Sequence, residues 1–307
     1  MLIDAARSRC TDVDEGEGTP VAWLHGLGGA GGGCAVLIDA GGFRCNVIDE
    51  GEGTPVVWLH GLGGTWRDFE TQLDRLADRY RCIVPELRGH GRTPSTPGPL
   101  TTASLAADVH AVLQALEVDR AVVVGLSLGG LVAQTLAGDH PEVVSGLVLV
   151  STSSKVPLPV AFFLRVAAAR IRSKGIRAAI DLLERGDRRA GKPTGAEAMS
   201  AARAAGTAWE RRDFASNDPD VLADAMLALV GHDEHARLPQ IEVPALVVVG
   251  DEDPAVTVGQ ARDLAAAIPG ALFEVVAGGG HMLSRDHPDE LDRLLTQFVD
   301  QVAAAHA

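Results

Sequence analysis

The chain has 307 residues, 46% of them hydrophobic, and a net charge of −14 at pH 7. That length and apolar content suffice for a sizeable core, in one large α/β domain or two smaller ones. The acidic balance, with a single Tyr among few aromatics, argues against nucleic acid or an anionic membrane as a partner, because both select basic surfaces.

The N-terminus opens on an internal repeat. Leu2–Gly29 (LIDAARSRCTDVDEGEGTPVAWLHGLGG) returns as Leu37–Gly64 (LIDAGGFRCNVIDEGEGTPVVWLHGLGG) with most positions identical. Two copies this similar read as a recent tandem duplication or an artefact at the start of the gene, rather than a solenoid. The glycine-rich stretch Gly28–Cys34 joins them as a flexible link. Only the second copy runs on into an amphipathic segment, Trp66–Tyr80, and a strand-like RCIVPEL (Arg81–Leu87). A parallel strand needs such a crossover helix after it. Pro55–Gly61 of the second copy is therefore expected in the sheet. The first copy is expected as a mobile arm, an extra edge strand or an element exchanged between chains.

His60-Gly61-Leu62-Gly63-Gly64 closes that strand. His60 reads as a hydrogen-bonding organiser of the loop rather than a base. Glu86–Pro94 (ELRGHGRTP) is glycine-rich but lacks the spacing and lysine of a phosphate loop. His90 and Arg92 within it read as structural. Thr101–Leu116 follows as a helix, capped by Thr101 or Thr102.

The centre of the chain is Ala121–Gly130, AVVVGLSLGG. A valine run suited to a buried parallel strand leads straight into apolar residues at helical spacing, with Ser127 at the corner. This is the strand–turn–helix context that gives GxSxG its meaning, since the turn lifts the hydroxyl above the sheet at a helix N-terminus.

Gly146–Thr152 is the next buried strand. From Ser154 to about Leu238 the β pattern gives way to alanine-rich, amphipathic helices. Phe162, Phe163 and Leu164 there read as packing for the insertion, with the wall of an acyl pocket as the alternative. His232 and His235 read as surface histidines, without the further ligands a metal requires. Sheet character resumes at Pro244–Gly250, followed by Asp251-Glu252-Asp253-Pro254. A helix (Gly259–Ile268), a short strand (Ala271–Ala277), the turn Gly278-Gly279-Gly280-His281, and a last helix (Pro288–Ala305) complete the chain.

Serine, carboxylate and histidine thus occur in the order Ser127, Asp253, His281, each just past a strand end. A serine needs a neighbouring imidazole to take its proton, and a carboxylate to hold that imidazole's tautomer. With HGLGG (His60–Gly64), ELRGHGRT (Glu86–Thr93), GLSLGG (Gly125–Gly130), GDEDP (Gly250–Pro254) and GGGHM (Gly278–Met282) in this order, the chain from about Phe43 onward resembles the α/β-hydrolase-fold serine hydrolases of the esterase, lactonase and cofactor-free haloperoxidase type. Glu86 departs from the aspartate usual before the RGHGR loop.

The resemblance implies an α/β fold with a mostly parallel central sheet, flanking helices and a helical cap. It implies Ser127 as nucleophile, Asp253 (in preference to Asp251) as the acid, His281 as base, and the Leu62 and Leu128 N–H groups as the oxyanion hole. The expected organisation is a duplicated segment over 1–35, core over 36–153, cap over 154–238 and core again over 239–307. Serine at the elbow excludes the dehalogenases and epoxide hydrolases of this fold, which use aspartate there. The expected activity is hydrolysis of carboxylic esters with small or medium acyl chains through an acyl-enzyme. An enol-lactonase, a C–C bond hydrolase and a perhydrolase would carry the same triad, and a non-catalytic ligand-binding member of the fold is the alternative of another class.

Cys10, Cys34, Cys45 and Cys82 form no CxxC pair and have no histidines at zinc spacing. No metal and no other cofactor is therefore expected. The N-terminus has no apolar signal core, and no apolar run approaches the ~20 residues of a membrane span. The expectation is a cytoplasmic chain acting on a small-molecule ester, without nucleic acid or membrane as partner.

Overall fold

A computed structural model describes residues 21–24, 35–177, 214 and 217–306. Among them are strands β1 (Val21–Leu24), β2 (Ala35–Asp39), β3 (Arg44–Glu50), β4 (Pro55–Leu59), β5 (Arg81–Pro85), β6 (Ala121–Leu126), β7 (Val144–Val150), β8 (Ala245–Gly250) and β9 (Leu272–Val276). They form a nine-stranded sheet in the order β1-β2-β3-β5-β4-β6-β7-β8-β9. The pairings from β5 through β9 are parallel, and those joining β1, β2, β3 and β5 are antiparallel.

The helices are α1 (Glu70–Leu76), α2 (Thr102–Ala115), α3 (Leu128–Asp139), α4 (Leu158–Lys174), α5 (Pro219–Gly231), α6 (Val258–Ala267), α7 (Leu283–Asp286) and α8 (Pro288–His306). β6, β7 and β8 are buried along their whole lengths, as their unbroken valine and leucine runs require. Side chains of a strand alternate between faces, and the core divides accordingly. Val57, Leu59, Val123, Leu147, Leu149, Val247 and Val249 meet apolar residues of α2, α3 and α6. Val56, Trp58, Val122, Val124, Val148, Val150 and Val248 meet those of α1 and α8.

The second copy's Pro55–Leu59 is the central strand β4, as expected. The first copy's Val21–Leu24, the counterpart of Val56–Leu59, is β1 at the edge, antiparallel to β2. The rest of 1–34, including Cys10, Cys34 and the glycine-rich joint, lies outside the described residues. The β2–β3 hairpin has no counterpart among the expected elements. It turns at Gly41 and Gly42, with φ of 72° and 92°, where Asp39 Oδ1 accepts the Gly42 N–H at 2.8 Å. Trp66–Tyr80 is not one helix. It begins as a 3-10 turn over Trp66–Phe69, and α1 ends at Leu76. Thr65 caps this turn by accepting the Arg67 N–H at 3.3 Å, and Asp68 within it faces inward onto Gly61 and Arg285. Thr101 does cap α2, in a reciprocal box with Ser104.

Between β7 and β8, α4 and α5 pack on each other through Ala167, Ala168, Ile171, Leu222, Ala223 and Met226. The two ends of this insertion meet at a bridge between Lys155 and Asp233. The expected helical stretch over 178–213 lies outside the described residues. Among the described residues, no helix is long and apolar enough to cross a membrane.

Candidate active site

β6 ends at Leu126 and α3 begins at Leu128, leaving Ser127 alone in the turn. Its φ of 52° and ψ of −112° lie where side-chain-bearing residues are seldom found. Such a conformation persists only where the surroundings over-determine it. Here Ser127 N–H donates to Val150 O at 3.0 Å, and the Ser127 carbonyl accepts from Gly130 N–H at 2.9 Å and from the Thr152 hydroxyl at 2.9 Å. A β-carbon on Gly125 would run into the Gly129 carbonyl, and one on Gly129 into the Leu59 carbonyl. Two glycines of the motif are therefore demanded by backbone passing backbone.

The His60–Gly64 loop runs beside this turn. A β-carbon on Gly61 would lie 3.7 Å from Ser127 Cβ. Leu128, in the first turn of α3, has an N–H for which helix geometry supplies no carbonyl. Leu62 lies one residue past Gly61, and its side chain packs into both the main core and the α4–α5 cluster. His60 is fully buried. Its Nδ1–H donates to Gly61 O at 2.9 Å, and its Nε2 accepts the Leu87 N–H at 2.9 Å. Burial, then the neighbouring His90, lowers its pKa to about 3. A neutral imidazole with both nitrogens engaged joins the two loops and has none to spare for proton transfer.

Glu86 is buried and holds its loop through its carboxylate. Its Oε2 accepts Asn46 Nδ2–H at 3.0 Å and Arg92 N–H at 2.6 Å, which ties the RGHGR loop to β3. Burial raises its pKa against these bonds.

Asp253 and His281 leave the ends of β8 and β9 and meet. His281 Nδ1 lies 3.0 and 2.9 Å from the two Asp253 oxygens. The carboxylate is fully shielded from solvent, and its Oδ1 also accepts the N–H groups of Ala255 at 2.8 Å and Val256 at 3.0 Å. Burial alone would raise its pKa, but the His281 bond and the backbone donors outweigh it and leave the pKa lowered. Asp251 is engaged otherwise: its Oδ1 accepts the Gly278 N–H at 2.7 Å and fastens the turn that carries His281. The two carboxylates thus have separate tasks, and Asp253 is the one facing the imidazole. Ser127, Asp253 and His281 all follow the carboxyl ends of parallel strands, so the sheet carries them to one rim.

Asp68 and Arg285 escape notice in the sequence. Asp68 Oδ2 accepts the Gly61 N–H at 3.3 Å, while its Oδ1 meets Arg285 Nη2 at 2.9 Å. The pair is nearly buried, with side chains 5% and 13% exposed, and it links the loop beside Ser127 to α7 just after His281. Phe214 lies against Gly63, and Asn217 Nδ2 donates to the Gly63 carbonyl at 3.0 Å. The expected Phe162–Leu164 cluster splits: Phe163 and Leu164 pack against the α4–α5 core, while Phe162 points outward. The expectation of surface histidines fails for His232. It is buried, with Nδ1 3.2 Å from Thr102 Oγ1, and burial lowers its pKa to about 4. Among the described residues, the three-membered grouping of metal-capable side chains is His110, His140 and Glu142, at the far end of α3.

Residues 54–288 match the α/β hydrolase fold family. The chain is 26% identical over 235 residues to 3-oxoadipate enol-lactonase 2 of Acinetobacter baylyi, across 72% of this chain and 79% of that protein. It is 30% identical over 247 residues to the pimeloyl-[acyl-carrier protein] methyl ester esterase of Chromobacterium violaceum, across 76% of this chain and 90% of that protein. The crystal structure of the enol-lactonase from Burkholderia xenovorans LB400 superposes with a TM-score of 0.75 at 27% identity, covering 85% of this chain and 98% of that one. With that match and this sheet, the chain belongs to the α/β-hydrolase family.

Proposed function

We propose that the protein is a serine hydrolase that cleaves carboxylic esters of small or medium acyl chains through an acyl-enzyme. The observation that carries this reading is the bond between His281 Nδ1 and the shielded Asp253 carboxylate, on the rim where the strained elbow presents Ser127. In this reading Ser127 Oγ bonds to the ester carbonyl carbon as His281 Nε2 takes its proton. The carbonyl oxygen becomes an oxyanion, received by the N–H groups of Leu62 and Leu128. The C–O bond to the leaving alcohol then breaks, and that alkoxide takes the proton back from the imidazolium. Water repeats both steps on the acyl-enzyme and frees Ser127. Asp253 remains ionised throughout and holds the Nδ1–H tautomer.

An apolar acyl group suits the side chains above this rim. Leu62 packs with Phe163, Leu164, Phe214 and Leu222 under α4 and α5, which act in this reading as the cap. A second reading, ring-opening of a lactone by the same residues, is favoured by the enol-lactonases to which the chain is similar. A cytoplasmic setting belongs to the same proposal. Among the described residues, Cys45 and Cys82 are free, buried thiols, which is compatible with a reducing compartment.

The test is turnover of p-nitrophenyl esters from acetate upward, beside simple lactones, by wild type and Ser127→Ala. Ester turnover that falls off with long acyl chains and disappears in the folded variant supports the first reading. Turnover confined to lactones moves the assignment to the second. A folded wild type inactive on both classes contradicts ester and lactone hydrolysis and leaves a C–C bond hydrolase, a perhydrolase or a non-catalytic ligand-binding protein.

A further inference from the structure

The far end of α3 holds a cluster that the chemistry at Ser127 does not use. α3 runs 12 residues from the elbow to Asp139, which at 1.5 Å per residue puts its C-terminus about 18 Å away, at the opposite rim of the sheet. His140 caps that end, Glu142 sits in the short 3-10 turn Pro141–Val143 leading into β7, and His110 reaches across from α2. We propose that His110, His140 and Glu142 form a site for a divalent transition-metal ion of the Zn²⁺ class.

The geometry converges on one oxygen. Glu142 Oε1 lies 3.4 Å from His140 Nδ1 and 3.9 Å from His110 Nε2. One ligand atom from each residue lies within 4.8 Å of the other two. In a tetrahedral shell with bonds of about 2.1 Å, neighbouring ligand atoms sit roughly 3.4 Å apart, so closing the shell needs a contraction of at most about 1.4 Å.

The Glu142 carboxylate is free to swing in, whereas the His110 and His140 side chains, 19% and 28% exposed, must turn within their packing. The Glu142 side chain is 62% exposed. The two imidazoles are stacked, with centroids 3.7 Å apart and planes 19° from parallel, and a metal must lie in the plane of each ring it binds. Binding therefore rotates the rings out of the stack and leaves a fourth position for water. Two imidazoles and one carboxylate suit Zn²⁺, Cu²⁺ or Ni²⁺ and not the all-oxygen cations Ca²⁺ and Mg²⁺. The C-terminal end of α3 adds the negative pole of a helix dipole to the site. A bound ion would fasten the middle of α2 to the end of α3 and the start of β7, bracing one helical layer without entering catalysis.

The test is calorimetric titration of the full-length, tag-free protein with Zn²⁺ at pH 7.5, beside His110→Ala, Glu142→Gln and His281→Ala. The expected result is one ion per chain with micromolar affinity, unchanged by His281→Ala and weakened at least tenfold by His110→Ala and by Glu142→Gln. Glu142 is mostly solvated, so its variant remains informative even where the histidine variant fails to fold. Titration with Mg²⁺ should show no binding at this site. Absence of Zn²⁺ binding at millimolar concentration, full affinity in Glu142→Gln, or loss of binding in His281→Ala would each overturn the proposal.

Discussion

Asp253 grips His281 with both of its oxygens, at 2.9 and 3.0 Å from Nδ1, while two backbone N–H groups hold the same carboxylate in a shielded position. The imidazole is thereby fixed in orientation and tautomer, and in the proposed mechanism its Nε2 is the atom that serves Ser127. Replacing Asp253 by Asn keeps the shape but can present an amide N–H to Nδ1, which favours the wrong tautomer. Asp253→Asn should lower kcat on the order of 10⁴-fold with little change in KM. Asp251→Asn, which alters only the Gly278 turn, should retain kcat within about tenfold of wild type. Steady-state ester kinetics on both variants separate the two carboxylates, and equal losses would contradict the division of tasks.

Activity should depend on one rising ionisation. The Asp253 pKa is lowered, so that carboxylate stays charged through the neutral and mildly acidic range. His281 must be neutral to accept the Ser127 proton. The kcat/KM of the free enzyme should therefore climb with pH as a single imidazole ionises and then level off. A profile flat from acidic to alkaline pH, with the protein still folded, would contradict a histidine base.

Acid should unfold the protein through buried histidines that take no part in that proton transfer. His60 and His232 have pKa values lowered by burial to about 3 and about 4, and His90 is lowered by burial as well. In the unfolded chain each takes a proton near the ordinary value of about 6.5. Between the folded and unfolded values the unfolded state binds more protons, so stability falls as pH falls. Each such histidine contributes a slope of up to about 1.4 kcal/mol per pH unit below roughly pH 6.5. Urea unfolding at pH 7.0, 6.0 and 5.0 should show this loss. His232→Asn, which keeps a polar partner for Thr102, should reduce the slope by one proton's worth.

The buried pair Asp68–Arg285 is predicted to matter to both stability and rate. Arg285→Met removes the opposite charge from the nearly buried Asp68 carboxylate, and breaking such a pair typically costs about 3–5 kcal/mol. Because Asp68 also accepts the Gly61 N–H, the loop carrying Leu62 should loosen, and kcat should drop more than KM rises. Asp68→Asn and Arg285→Met combined should cost less stability than the sum of the two single changes. Denaturation midpoints and ester kinetics on the three variants check this, and additive effects would contradict the coupling.

Much of the site is legible in the chain because it rests on local chemistry. The valine run, the glycines around Ser127 and the helical spacing after it are all neighbours in sequence. The spacing of Asp251 and Asp253 past Gly250 narrows the acid to two residues. The family resemblance already favours Asp253, and the return of the β9 turn separates the two in space: Gly278 settles on Asp251 and His281 on Asp253. Asp68 gives no such signal, since an aspartate in the first turn of a helix usually faces water, and its partner Arg285 lies 217 residues on. The β2–β3 hairpin is obscured by the repeat. The same text occurs twice; the crossover segment after the second copy places its VVWL inside the sheet, but the repeated text leaves the first copy's VAWL open between an arm, an edge strand and an exchanged element. His110 and His140 are unremarkable on their own helices and become a pair only when α2 packs on α3.

The central claim is that Ser127 forms a covalent acyl-type bond with its substrate. Intact-mass and peptide analysis after treatment with a fluorophosphonate tests it most directly, because the reagent phosphonylates a serine only where a neighbouring base activates it. The account predicts one adduct per chain, mapped to Ser127, absent in Ser127→Ala and strongly slowed in a folded His281→Ala variant. An adduct on another residue, or an unmodified wild type that still turns over esters at the rate of Ser127→Ala, would contradict it.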